Sequence, residues 1–294
     1  MTGRETGASA TRSWAEALRE EGYCIIPDLI PGDTIRELER DLEPDFAATP
    51  FCQGGFYGAR TKRFASLLRR SPHAAALIAN PTIIALAEQL LGDACDCLQL
   101  NVAQAIEIHP GEVRQFPHRD HDMWQGAKGD HEYLINVIWP LTPFSRENGA
   151  TQIYPGSHGR DGMAKDDLGA PVAAECGPGS AICFLGSTAH GAGANETPLA
   201  RRGIVVGYCL GWLKPYENQW LAYPPDIARS FPPEIAGLAG YRQHRPNLGN
   251  YEGQCPSLLL RDDVPQHIGA VDALRPDQEA MLADYADVVA EQSG

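Results

Sequence analysis

The sequence predicts an α+β fold that is mainly β, with a jelly-roll core of about eight strands over residues 95–212 and flanking N-terminal helices. Three observations predict it. Long helical segments are confined to the chain before Gly92. After Gly92, apolar runs of five to twelve residues alternate with Pro-Gly, Asn-Gly and Gly-x-Gly turn signals, which is typical of antiparallel strands. Helices followed by strands, without a repeat or a linker, favour a single domain over residues 12–294.

The N-terminal part is predicted to be helical. Residues 1–11 are small and polar and are expected to be disordered. The first helix is expected from about Ser13 to Gly22, followed by a strand over residues 23–26. Further helices are expected after an N-cap at Asp33 or Thr34, near residues 62–79 and over residues 81–91.

The strands of the predicted core are short and end at turn residues. They are the runs CLQLNVAQAIEI, YLINVIWPL, ATQIY, SAICFLG and RRGIVVGYCLGWL. The tail after residue 213 is rich in proline and is expected to be irregular, with one short helix near ENQWLAYPPDIARSF.

Composition and charge narrow the classes of function. The formal net charge of −14 repels phosphate backbones, so a nucleic-acid partner is not expected. The most apolar stretch, HAAALIANPTIIALAEQLLG, is interrupted by Asn80-Pro81 and carries Glu88. It is therefore expected to form two buried helices and not a membrane span.

The cysteines and the N-terminal residues bear on location. None of the eight cysteines forms a CxxC pair, and several stand in apolar runs such as AICFL. The N-terminal stretch MTGRETGASATRSW contains no apolar segment of the kind that directs secretion. Reduced, mostly buried thiols in a cytoplasmic protein are therefore expected.

The stretch FPHRDHDMW concentrates ionisable side chains beside a tryptophan. In a strand, His118 and Asp120 would project to the same face. His190 ends an apolar strand at a glycine turn and could supply a third ligand. Two imidazoles and one carboxylate leave three positions of an octahedron open, which suits non-heme Fe(II).

Alternatives remain open for each of these residues. The HxD pattern is short and occurs by chance, and a polar surface loop would explain it as well. If the segment is a loop, His121 and Asp122 could replace His118 and Asp120. A hydrogen-bonded turn or core histidine is a common role for a residue such as His190.

Two arginines follow His190 at the start of the next predicted strand. A hairpin would bring Arg201 and Arg202 beside the strand that bears His190, where one guanidinium could bind a carboxylate near the metal. Strand alternation places Arg201 on the face that carries Gly203 and Val205, which leaves room for a ligand. Arg202 is then expected on the other face.

The ordered set of motifs resembles the phytanoyl-CoA dioxygenase-like family of Fe(II)/2-oxoglutarate-dependent oxygenases. It comprises HxD, His190 and an arginine eleven residues later, with ENGAT and PGSH between them. HPGE, GARTKR and GWLKPYENQ add to the resemblance, which covers residues 14 to 260. The resemblance implies a double-stranded β-helix, the cupin-like form of a jelly roll.

The resemblance also implies roles for particular residues. His118, Asp120 and His190 match the family's metal ligands, and Arg201 matches the arginine that holds the distal carboxylate of 2-oxoglutarate. Two further residues match positions near the co-substrate: Trp139 matches an aromatic that lines its site, and Gln104 a polar residue near the keto acid.

One residue departs from the family's pattern. Relatives often have a co-substrate-binding serine two residues after the distal histidine, and here that position is Ala192. The hydrogen bond must therefore come from elsewhere or be absent. Relatives that halogenate replace the carboxylate ligand with a small residue, so Asp120 argues for oxygenation.

The expected function is oxidation, most simply hydroxylation, of a C–H bond in a natural-product or lipid-like small molecule. Dioxygen is consumed, and 2-oxoglutarate is decarboxylated to succinate. Apolar side chains at Phe56, Tyr57, Met123 and Trp124 could form a substrate wall, although each could also be ordinary core. The basic patch of Arg60, Lys62, Arg63, Arg69 and Arg70 could hold a substrate anion, although a solvated helix face explains it too.

Two other classes of function stay open from the sequence. A zinc-dependent hydrolase on the same barrel would need a general base, for which Glu132 or Glu147 is available. A non-catalytic jelly-roll binding protein would use the histidines structurally. Iron, zinc or no metal after anaerobic purification distinguishes the three classes.

Overall fold

Two antiparallel sheets form the centre of the protein, for which a computed structural model describes residues 14–293. The strands are β1 (Tyr23–Ile26), β2 (Thr61–Phe64), β3 (Leu98–Ile108), β4 (Leu134–Pro140), β5 (Thr151–Ile153), β6 (Val172–Ala173), β7 (Ala181–Leu185), β8 (His190–Ala192) and β9 (Arg201–Leu210). The larger sheet has the order β1-β7-β4-β9-β3-β2, and the smaller one the order β6-β5-β8. The segment expected to be disordered, residues 1–11, lies outside the described residues.

The helices precede and follow the strands that carry the cavity. They are α1 (residues 14–21), α2 (Gly32–Ala48), α3 (Ala74–Ile78), α4 (Pro81–Leu91), α5 (Gly159–Met163), α6 (Gln219–Ala222), α7 (Pro225–Ala228), α8 (Pro233–Leu238) and α9 (Pro276–Ser293). Short 3₁₀ turns cover Leu67–Arg69, Gly92–Ala94, Asp120–Met123 and Pro256–Leu260. The order of helices before strands agrees with the α+β prediction, and the tail holds more helix than expected.

The main core lies between one face of the large sheet and the N-terminal helices. Leu18 of α1 and Leu38 and Leu42 of α2 are buried against it. Val137 of β4 and Val206 of β9 supply the sheet side of the same cluster. Because side chains alternate along a strand, the neighbouring residues of β4 and β9 point to the opposite face, where the cavity lies.

The prediction of a helix near residues 62–79 is wrong in its first part. Residues 61–64 form β2, which pairs with β3 at the edge of the large sheet. The edge of β3 offers unpaired backbone groups, and pairing with them outweighs the local helical pattern. Only Ala74–Ile78 of the predicted segment is α-helical.

The apolar stretch from Ala74 to Ala94 is long and apolar enough to cross a membrane by length and composition alone. In the structure it divides at Asn80-Pro81 into α3 and α4, as expected. The Asn80 side chain caps α4 by accepting hydrogen bonds from the backbone N–H groups of Thr82 and Ile83. Leu77 and Leu86 belong to the protein core, so the stretch packs as two helices against the sheet.

A buried ion cluster joins α2 to the large sheet. Glu107 of β3 accepts a hydrogen bond from Arg202 Nε at 2.6 Å, and His109 Nε2 lies 2.6 Å from the same carboxylate. Lys62 Nζ is 3.7 Å from it. Arg202 also bonds Glu43 of α2, so one guanidinium links two elements of the core.

We expect Glu107→Ala to lower the free energy of unfolding by about 3 kcal/mol, because it removes the buried carboxylate that Arg202 Nε bonds and leaves the guanidinium only its more exposed pairs with α2. Glu39→Ala is the matched control, since Glu39 is half-exposed and its oxygen is 3.4 Å from Arg202 Nη1. That variant should lose no more than about 1 kcal/mol. Urea unfolding measures both, and equal losses would contradict the assigned importance of Glu107.

Candidate metal centre

His118 and His190 are joined by a two-way backbone contact. The N–H of His118 donates to the carbonyl of His190 and the N–H of His190 donates to the carbonyl of His118, both at 2.9 Å. His190 opens β8, whereas His118 stands in a segment that has no other strand pairing. The two imidazole rings lie with their centroids 4.4 Å apart. One pair of backbone hydrogen bonds thus brings together two histidines that are distant in sequence.

The HxD segment is not the strand that the sequence predicted. Only Arg119 between the two residues is extended, and Asp120 begins the 3₁₀ turn Asp120–Met123. The extended residue is enough to place His118 and Asp120 on the same side. The alternative pair does not reach the cavity: His121 is buried with its N–H bonded to Gly186, and Asp122 is exposed and pairs with Lys128.

Arg119 fixes the HxD segment against the loop that precedes His190. Its guanidinium donates to the carbonyls of Ser187 at 3.0 Å and Ser157 at 3.2 Å. The Ser187 hydroxyl in turn bonds the carboxylate of Glu132 and accepts from the N–H of Gly159. The residue between the two predicted ligands therefore holds both loops in register.

Each histidine presents the same ring nitrogen to Asp120. Nδ1 of His118 donates to the carbonyl of Phe116 at 3.0 Å, and Nδ1 of His190 donates to that of Thr188 at 3.1 Å. Nε2 of His118 lies 3.4 Å from one oxygen of Asp120, and Nε2 of His190 lies 3.5 Å from the other. A backbone carbonyl on Nδ1 fixes the tautomer whose Nε2 lone pair can bind a metal.

The charge on Asp120 is stabilised by its surroundings. Burial acts to raise the pKa of this carboxyl, but the adjacent His190 and His118 outweigh it, so the pKa lies well below its usual range. The donor atoms of these three residues lie within 4.8 Å of one another. Two imidazoles and a carboxylate on one side are the donor set that non-heme Fe(II) prefers, so the residues fit that metal.

A cavity of about 130 Å³ opens beside this triad. Strands β3, β4 and β9 of the large sheet form one wall, and β5 and β8 of the small sheet form another. Asp120 is the one acidic residue among those that line it. Glu132 is bonded to Ser187 and Glu147 is exposed, so neither candidate for the general base of a hydrolase lines the cavity.

Arg201 projects into this cavity, and no described residue gives it an anionic partner. The residue is 6% exposed, and its Nε and Nη1 atoms have no hydrogen-bond partner among the described residues. Its guanidinium lies over the ring of Phe144, 4.1 Å from the centroid. Burial and the nearby Arg63 lower the pKa of Arg201 to about 9. A buried cation of this kind provides a site for a carboxylate.

The register of β9 is the one that the sequence predicted. Gly203 and Val205 line the cavity beside Arg201, and Val206 lies in the core on the other face. Arg202 is turned to Glu107 and the ion cluster. Adjacent arginines therefore have different roles, one in the site and one in the core.

Gln104 lines the cavity as expected, and its position reveals a second arginine. Gln104 Oε1 accepts a hydrogen bond from Arg63 Nη1 at 3.1 Å. Arg63 Nε is buried and has no hydrogen-bond partner within the described chain, and burial lowers the pKa of the guanidinium. The sequence analysis assigns Arg63 to a basic patch that a solvated helix face would explain. In the structure Arg63 belongs to β2, and its side chain lines the cavity.

Trp139 does not line the cavity, contrary to the expectation from the resemblance. It is fully buried in the core with Val137, on the face of β4 that meets the helices. Asn136 and Ile138 occupy the cavity face of the same strand. The segment VIWPL thus supplies an apolar side chain to the site, but that side chain is Ile138 and not Trp139.

The apolar wall predicted from the sequence is largely present. Phe56, Tyr57 and Met123 line the cavity, and Phe56 packs edge-on against His118 with centroids 4.8 Å apart. Trp124 is outside it: the ring packs against the core and its Nε1–H donates to the carbonyl of Lys214 at 2.8 Å.

The polar residues of the cavity that were not predicted include Asn136 and Thr151. Asn136 donates from Nδ2 to Asp120 Oδ2 at 2.7 Å, and Thr151 lines the cavity opposite Ala192 in the β5–β8 pair. Asn136 could have been recognised, because it is the one strongly polar residue in the apolar run LINVIWP.

Solved structures with the same fold include proteins that bind or depend on 2-oxoglutarate. The epimerase SnoN from nogalamycin biosynthesis superposes with a TM-score of 0.60 at 21% identity, covering 71% of this chain and 87% of SnoN. HygX from Streptomyces hygroscopicus, solved with nickel, 2-oxoglutarate and hygromycin B, gives a TM-score of 0.55 at 16% identity, covering 70% and 90%. The fold is therefore that of the non-heme, 2-oxoglutarate-dependent oxygenases.

The chain belongs to the phytanoyl-CoA dioxygenase (PhyH) family, whose model matches residues 18–203. Dioxygenase aneA of Aspergillus aculeatus is 31% identical over 244 residues, covering 77% of this chain and 81% of the relative. Dioxygenase cdmD of Talaromyces verruculosus is 32% identical over 256 residues, covering 76% and 82%. The predicted family is confirmed. The expected iron and 2-oxoglutarate agree with the solved complex of SnoN with Fe3+, α-ketoglutarate and nogalamycin RO.

We expect His190→Ala to abolish stoichiometric binding of Fe(II) or Co(II), because it removes one of three donors. The matched control is His131→Ala, which removes an exposed histidine outside the cavity. Anaerobic metal titration gives the stoichiometry, and circular dichroism checks that the variant is folded. Wild-type metal affinity in a folded His190→Ala variant would remove this residue from the site.

We expect Arg201→Ala to weaken 2-oxoglutarate binding by about thirtyfold or more, the loss typical of a carboxylate deprived of its buried cation. Arg201→Lys should recover only part of the affinity, since lysine cannot make the two-pronged contact. Arg202→Ala is the control and should change stability but not affinity. The absorbance of the anaerobic Fe(II)–2-oxoglutarate complex measures binding. A loss confined to Arg202→Ala would mean that the face assigned to Arg201 is wrong.

Proposed function

We propose that this dioxygenase hydroxylates a C–H bond of a small, largely apolar natural product, with His118, Asp120 and His190 holding Fe(II). The observation that carries the proposal is the buried Arg201, which lines the same cavity as the three donors and pairs with no anion in the described part of the chain. A buried guanidinium without an anion is costly unless a ligand supplies one. The distal carboxylate of 2-oxoglutarate is a ligand of the right charge.

Thr151 is proposed to replace the co-substrate contact that Ala192 lacks. Thr151 and Ala192 are paired residues of β5 and β8, and both line the cavity. A hydroxyl on the facing strand can donate to the same carboxylate that a serine at position 192 would reach. Gln115 is otherwise engaged at this end of the cavity, since its Oε1 accepts from the N–H of Ala192 at 3.1 Å.

Iron bound at these residues would supply the oxidising chemistry, in which dioxygen is consumed and 2-oxoglutarate is decarboxylated to succinate. The chain's own residues orient the reactants and exclude competing chemistry. Arg201 would fix one end of 2-oxoglutarate and the triad would fix the other. Asp120 occupies the ligand position that a halide would need, which supports oxygenation over halogenation.

The substrate side of the cavity favours an apolar ligand. Phe56 and Met123 stand at the cavity with 49% and 40% of their surface exposed, and Tyr57 and Tyr216 complete this side. Exposed apolar side chains beside a reactive centre are stabilised when an apolar substrate covers them. The solved relatives with bound nogalamycin RO and hygromycin B support a natural-product substrate.

The two alternative classes explain the cavity less well. A zinc hydrolase needs a base beside the metal, and Asp120 is the one acid that lines this cavity. A binding protein without catalysis gives no reason for Arg201 to be buried beside two histidines and an aspartate. A cytoplasmic location remains part of the proposal, supported by the eight unpaired cysteines.

Turnover of 2-oxoglutarate tests the function. The Fe(II)-loaded protein should release succinate, and the correct member of a natural-product library should increase the rate and gain one oxygen atom by mass spectrometry. Asp120→Ala is the control and should release none. Two results would overturn the proposal. One is a protein that binds zinc and not iron, and the other is an iron-loaded protein that releases no succinate either with or without a library compound.

A further inference from the structure

Asp120 differs from the two histidines in the way the protein holds it. His118 and His190 are fixed by backbone hydrogen bonds to each other and by their Nδ1 contacts. Asp120 lies outside both sheets, at the start of a 3₁₀ turn. Apart from the two histidines, the one side-chain donor that the described residues give its carboxylate is Asn136 Nδ2, 2.7 Å from Oδ2.

Asn136 itself is rigidly placed. It is 1% exposed on β4, which is paired on both sides, opposite Phe184 of β7 and Gly207 of β9. Gly207 leaves space for the amide, because a Cβ there would lie 2.9 Å from Asn136 Oδ1. The centre of the sheet thus carries a fixed donor to a carboxylate on a short turn.

We propose that Asn136 is the positioning residue for Asp120: it holds one carboxylate oxygen, so that the aspartate binds the metal through the other oxygen alone. The inference rests on the proposed metal site and deepens it. A carboxylate that is free to rotate can chelate through both oxygens and occupy an additional coordination position. That position is one of those that 2-oxoglutarate and dioxygen need.

The test removes the donor while keeping the volume. Asn136→Leu should bind Co(II) about ten- to a hundredfold more weakly than the wild type, the usual effect of losing a partner behind a metal ligand. The visible spectrum of the bound Co(II) should also change, because the carboxylate is no longer held at one oxygen. Both readouts are made anaerobically, without turnover.

A second variant reaches the same contact from the other side. Gly207→Ala places a methyl group against Asn136 Oδ1 and should displace the amide, weakening Co(II) binding in the same direction. The matched controls are Val137→Ala and Val206→Ala, which change the neighbouring residues of β4 and β9 on the core face. They should lower the melting temperature and leave Co(II) affinity and spectrum unchanged.

The outcomes separate this inference from the proposed function. If the wild type binds Co(II), His190→Ala does not, and a folded Asn136→Leu matches the wild type in affinity and spectrum, the role of Asn136 is refuted and the metal site stands. If the core-face controls weaken Co(II) binding as much as Asn136→Leu, the effect is a general one of stability and the role is again refuted. If the wild type binds no Co(II), the proposed function and this inference fail together.

Discussion

The reciprocal backbone hydrogen bonds between His118 and His190 are the contact on which the rest of the site depends. They attach an otherwise irregular segment to the first residue of β8, so that both imidazoles face Asp120. Arg119, between His118 and Asp120, also connects the two segments, because its guanidinium donates to the carbonyl of Ser187. Backbone pairing fixes distance and direction at once, and a pair of bonds constrains rotation as well as separation. The ligand geometry is therefore set by the main chain and refined by side chains such as Asn136.

The two faces of the large sheet have different roles: one packs in the hydrophobic core, and the other borders the cavity. The face that carries Val137 and Val206 is covered by helices and forms the core, whereas the other face carries Asn136 and Gly203 and borders the cavity. The ion cluster around Glu107 lies at the edge of the same sheet and satisfies Arg202. Arg201, its neighbour in sequence, has no anionic partner between residues 14 and 293 and lies where a ligand can reach it. This division lets a strongly acidic protein keep a cationic end in its cavity for an anionic co-substrate.

The direction of a side chain could be predicted from the sequence where polar and apolar residues alternate along a strand, and could not be predicted where they do not. In β9 the arginines and glycines distinguish the two faces of the strand, so Arg201 could be assigned to the cavity face from the sequence. Both faces of β4 are buried along almost its whole length. The apolar run therefore does not show to which face of the sheet Trp139 points. Asn136 carried the missing information, since a polar residue in such a run marks the cavity side. The strand at residues 61–64 escaped prediction for another reason: its conformation comes from pairing with β3, which a local pattern does not contain.

The strand order of the large sheet has a consequence for the maturation of the protein. In that sheet β1 pairs with β7, and the two histidines come from segments that lie far apart in the sequence and meet where the sheets pack. The unfolded chain thus contains no preformed site, and loop-closure entropy opposes any early encounter of the ligands. A zinc finger brings its ligands together within a short stretch of chain, whereas this site joins residues 118 and 190 across two sheets. Metal binding is therefore expected to follow the assembly of the sheets rather than to start it.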